Sequence, residues 1–81
     1  MATINTMVTA KHWHKLPITS VPALVSATEN VEYLFATEAP PSNLHGHFLA
    51  KNHAVVNNST ESDMYIKASH LQAMIIISET T

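Results

Sequence analysis

Apolar and polar residues alternate with a period of two along much of this chain, and helical spacing is hard to find. Val31, Tyr33 and Phe35 fall on one face of an extended segment, with Glu32 and Leu34 on the other. Asp63 to Ser69 repeats the pattern, with Met64, Ile66 and Ala68 against Tyr65, Lys67 and Ser69. Gln72 to Glu79 is β-branched and apolar on both faces at its centre, which predicts a strand covered on both sides. Thr3 to Val8, Pro22 to Ser26 and the short Ala54 to Asn57 complete the expected strands, with His12 to Leu16 either another strand or an extended connection.

Breakers separate these segments: Pro17, Pro22, Thr28 to Asn30, Glu38 to Asn43 and Asn57 to Asp63. Short strands between turn signals predict an all-β fold, a small antiparallel β-sandwich or barrel, with no helix longer than about two turns. The core is expected at Val31, Tyr33, Phe35, Val55, Ile66, Ile75 and Ile77. No internal repeat or boundary is visible, so residues 1–81 read as a single β domain, with an extended arm at residues 1–20 as one option. Only one glycine is present, so the turns must rely on Asn, Asp, Ser and Pro.

The chain has 81 residues, which limits the area it can bury, and it has no cysteine to supply disulfides or thiolate metal sites. Small domains without staples often gain stability from partner subunits. Four lysines, no arginine and six acids leave no basic face, which argues against nucleic acid as a partner. The longest apolar run, Ala73 to Ile77, is far short of a membrane span, and the first residues do not read as a signal peptide. A soluble product with no membrane partner is expected. Ser, Thr and Asn make up about a quarter of the chain. A surface of that kind can lie against another protein without dehydrating many ions.

The second half carries a recognisable order. An apolar strand leads into Ala36 to Leu49, "ATEAPPSNLHGHFL", followed by "AVVN", a polar turn, "DMYIKAS" and the closing "AMIIISE". From about Val21 to Glu79 this resembles short bacteriophage virion proteins with a compact β-sandwich fold. Glycine is scarcer here than in that pattern, and histidine takes several of its positions. The resemblance implies a non-enzymatic structural protein without cofactors, made in the host bacterial cytoplasm and carried in the virion. Its expected role is a capsid decoration or cement subunit that bridges copies of the phage major capsid protein. A tail or tail-fibre accessory is the alternative within that class, bound to other virion proteins. A homo-oligomer is expected from the short, unstapled, weakly charged chain, and the resemblance, with the three-fold positions of icosahedral shells, implies a trimer first.

Two histidine pairs sit at strand-like spacing, His12 with His14 and His45 with His47, and each should share a face if its segment is extended. A pair supplies only two metal ligands. No metal is therefore expected from one chain, and three copies of either pair around a three-fold axis are the alternative. Trp13 is either a contact anchor or the lid of a small core, and its neighbours His12 and His14, with Tyr65, are the other candidate contact residues. From a different class, a carbohydrate- or receptor-binding sandwich would use exposed Trp13 or Tyr65 as a stacking platform. No glycine-flanked nucleophile, paired carboxylate motif or phosphate loop is present, so catalysis is not expected.

Overall fold

The computed structural model describes residues 2–19, 21–58 and 61–79, including all but residues 59 and 60 of the Asn57 to Asp63 turn. Eight strands are formed: β1 (Ala2–Thr9), β2 (His14–Lys15), β3 (Ala23–Ala27), β4 (Val31–Ala36), β5 (His47–Leu49), β6 (Ala54–Asn57), β7 (Asp63–Ala68) and β8 (Gln72–Glu79). Among the described residues there is no helix. Every strand pairing is antiparallel. The strands make two four-stranded sheets, sheet I in the order β1-β8-β3-β6 and sheet II in the order β2-β7-β4-β5. The fold is the small all-β sandwich that the alternation predicts.

The core lies between the two inner faces. Sheet I contributes Val8, Val25, Ile75 and Ile77, and sheet II contributes Val31, Met64, Ile66 and Leu49, all buried. Ile4, Tyr33 and Val55 are half-buried against this cluster. Asn52, in the turn between β5 and β6, takes a φ of 64°, a left-handed conformation that Asn tolerates, so this glycine-poor chain meets one of its turns with asparagine.

Two expectations need correction. Phe35 is 41% exposed rather than core. It points to the inner face beside Met64 of β7, but β5 pairs β4 only from Val31 to Tyr33, so no strand flanks β4 at Phe35 on its other side. The segment His47–Leu49, not among the expected strands, is one, because its pairing is set by contact with β4 rather than by its own three residues. Within the first twenty residues, two segments join the sheets. Ala2–Thr9 pairs with β8 along its whole length and His14–Lys15 pairs with β7.

Candidate functional site

The two sheets treat their outer faces differently. On sheet II, Glu32 and Lys67 are cross-strand neighbours on the outer face, and alternation would leave both in solvent. Lys67 is instead only 7% exposed. Its ammonium donates to the carbonyl oxygens of Ser42 (2.9 Å) and Leu44 (3.3 Å) and lies 4.9 Å from the centroid of the Trp13 ring. Beside it, Glu32 Oε1 accepts the Gly46 N–H at 3.0 Å and stands 3.5 Å from His45 Nδ1. One lysine and one carboxylate thus hold the segment between β4 and β5 down over the sheet.

Gly46 is required at this point by space, not by a left-handed backbone. A Cβ there would lie 2.5 Å from the Tyr33 carbonyl oxygen and 2.8 Å from Trp13 Cη2. Trp13 is buried, and its Nε1 has no hydrogen-bond partner among the described residues. At 7% exposure the ring is packed within this chain. Tyr65 is also buried, at 6% exposure, so neither ring is free to stack on a sugar.

The histidine pairs separate in character. The rings of His12 and His14 lie together, with centroids 4.8 Å apart. Yet His14 Nε2 is already engaged, accepting the Thr9 N–H at 3.1 Å with Thr9 Oγ1 also at 3.1 Å. Burial, and then the charge of His12, hold the His14 pKa below the ordinary histidine value. His45 and His47 do not share a site. His45 turns to Glu32, while the His47 ring sits 5.5 Å from that of Tyr33, whose side chain is on the opposite face of β4 from Glu32. The cause is that β5 begins only at His47, so strand alternation does not extend back across Gly46. Among the described residues no three His, Asp or Glu side chains converge.

The outer face of sheet I is the surface without a lid. One rung across it reads Thr3, Ser78, Leu24 and Val56, and the next reads Asn5, Ile76, Ser26 and Ala54. Met7 and Met74 form the third. None of these positions is charged. Met7 (45%), Leu24 (47%) and Val56 (56%) are the exposed large apolar side chains among them. Sequence reasoning identified no residue of this face as a contact site, although the doubly apolar β8 was its signal. The strand predicted to be covered on both sides is covered by this chain on one.

No protein-family model, curated protein or solved structure matches the chain. Function therefore has to be read from the surfaces themselves.

Proposed function

We propose that this protein is a non-enzymatic structural subunit that adheres to other protein surfaces through the outer face of sheet I, and that it decorates a virion shell, bridging copies of the capsid protein. The uncharged outer face of β8 and its neighbours supports the adhesive reading. Burying Met7, Leu24, Val56 and Ile76 removes apolar area from water without dehydrating an ion. The virion assignment rests on the resemblance in the second half of the sequence.

Four strands spaced about 4.8 Å apart and about 14–27 Å long project on the order of 400 Å². That is about half of one partner's share in a standard interface of about 800 Å² per side. A single contact of this size is weak, so the role fits a protein present in many copies on a repeating surface. Resistance to separation then comes from numbers.

The test is co-sedimentation of the purified protein with empty shells, with copy number read by gel densitometry. Saturable binding at a fixed ratio to capsid protein is expected. The variant Leu24→Lys/Ile76→Lys should lose binding while keeping its circular dichroism spectrum, because neither side chain belongs to the core. Absence of binding, or binding indifferent to the two lysines, refutes the reading. Affinity of the isolated protein for glycans would favour a sugar-binding module instead.

A further inference from the structure

The ends of the sheets differ as sharply as their faces. At three ends of the two sheets the terminal strand is short: β2 has two residues, β5 has three and β6 has four. β1 is the fourth and has eight. Long sheet edges are usually protected by charge, proline, a bulge or a covering segment, because their unpaired N–H and C=O groups can template another strand. β1 has no charged residue and no proline, and its register with β8 runs unbroken from Ala2 to Thr9.

Which of its backbone groups are free follows from the ladder. The Ala10 N–H donates to the Leu71 carbonyl in continuation of the β1–β8 register, so even-numbered residues of β1 turn their backbone groups toward β8. Odd-numbered residues turn theirs outward. Thr9 confirms this, since its outward N–H donates to His14 Nε2. That leaves Thr3, Asn5 and Met7. Among the described residues their outward N–H and C=O groups have no partner.

We propose that two copies of this chain pair antiparallel along β1, with Asn5 of one copy opposite Asn5 of the other on a two-fold axis. Thr3 of each copy then faces Met7 of the other, and the three free residues on each side exchange about six hydrogen bonds. The register is selected by the His14 cap. Sliding the pair toward Thr9 would recruit an N–H that His14 already holds, whereas centring it on Asn5 uses the free residues of both copies and no others. A second copy is the occupant because the edge is self-complementary: it carries no charge to repel its like, and the whole chain is only −2 at pH 7 with histidine neutral. The half-buried Ile4 of each copy comes beside Thr6 of the other and is covered further. The two sheets merge into one of eight strands, and their uncharged outer faces become continuous. An edge contact is smaller than the standard interface of about 800 Å² per partner, so the pair should be reversible and micromolar or weaker. This pairing is a property of the isolated protein and holds whether or not the outer face binds a shell. It gives a two-fold pair where the sequence resemblance implies a three-fold ring.

Sedimentation velocity from about 10 µM to about 1 mM should show a monomer–dimer equilibrium. Asn5→Pro removes only an outward N–H, leaving the β1–β8 ladder intact, and should weaken the dimer at least tenfold with the circular dichroism spectrum retained. If the proline variant does not fold, a charge exchange decides. Asn5→Lys alone and Asn5→Asp alone should each be monomeric, since like charges abut on the axis, and an equimolar mixture should recover the dimer. A wild-type monomer at the highest concentration, a closed trimer, a dimer that survives Asn5→Pro in a folded chain, or a mixture that stays monomeric would each overturn the pairing.

Discussion

Replacing Lys67 by Met keeps most of the side-chain stem and removes the ammonium, which isolates what the charge does in the lid over sheet II. The amine makes two hydrogen bonds to backbone carbonyls, at 2.9 and 3.3 Å, and sits 4.9 Å from the Trp13 centroid. A hydrogen bond to a charged group contributes about 1.5–3 kcal/mol, with the longer of these two at the low end or below it. A cation over an aromatic face adds about 0.5–1 kcal/mol. Two effects reduce the sum. Burying the ammonium carries a dehydration cost that methionine does not. Ser42 and Leu44 are exposed, so their carbonyls can take water if the loop lifts. A net loss of about 1–3 kcal/mol is expected, measured as a shift of the urea midpoint at unchanged slope.

Fluorescence makes the prediction local. Trp13 is the only tryptophan, and it is buried beneath the loop that Lys67 holds. In Lys67→Met its emission should move to longer wavelength in the native state, as water reaches the ring. A loss below about 0.5 kcal/mol together with unchanged emission would refute the reasoning, because the loop would then be held by something other than the lysine.

Gly46→Ala should disturb the same lid from the other side, costing about 1–3 kcal/mol by overpacking and also shifting Trp13 emission, since the added Cβ meets Tyr33 backbone and the indole. Ile75→Ala, at a fully buried position of β8, should cost about 2–5 kcal/mol in the same urea titration, with no native-state emission shift. Leu71 adopts a φ of 33° at 89% exposure, so Leu71→Gly should raise the melting temperature by relieving about 1 kcal/mol of backbone strain. His14 has a lowered pKa and accepts a hydrogen bond when neutral, so its contribution to stability is present above about pH 6.5 and is lost as pH falls through its folded value. The melting temperature of the wild type should fall on acidification more steeply than that of His14→Ala, and His12→Ala should move the midpoint of that fall upward.

Much of the fold was legible because β-alternation reports burial directly. Val31, Ile66, Ile75 and Ile77 read as core and are fully buried. What escaped the sequence depends on contacts between distant segments. Lys67 alternates outward and reads as solvated, and only the arrival of residues 42–46 buries it. Trp13 between two histidines looks like a surface anchor until Gly46 brings the β5 approach against its ring. The lone glycine was a signal of close approach, but not of what it approaches. Sheet order was not legible either, since β1-β8-β3-β6 joins strands far apart in sequence and no local pattern encodes that neighbourhood.

The arrangement separates the parts that hold the molecule together from those proposed to meet other molecules. Glu32 and Lys67 belong to sheet II and hold Gly46 and Trp13 against it, while Leu24, Ile76 and the free edge of β1 belong to sheet I, with the core between the sheets. Docking through sheet I therefore requires no movement of the lid, and the two groups share no hydrogen-bond partner. Substitutions at distant sites without shared partners combine nearly additively. Lys67→Met should lower stability while leaving shell binding intact at temperatures where the chain is folded, and Leu24→Lys/Ile76→Lys should do the reverse. A combined variant whose stability loss exceeds that of Lys67→Met by more than about 0.5 kcal/mol would mean that the outer face of sheet I also supports the fold, and its apolar residues would no longer need a partner to account for them.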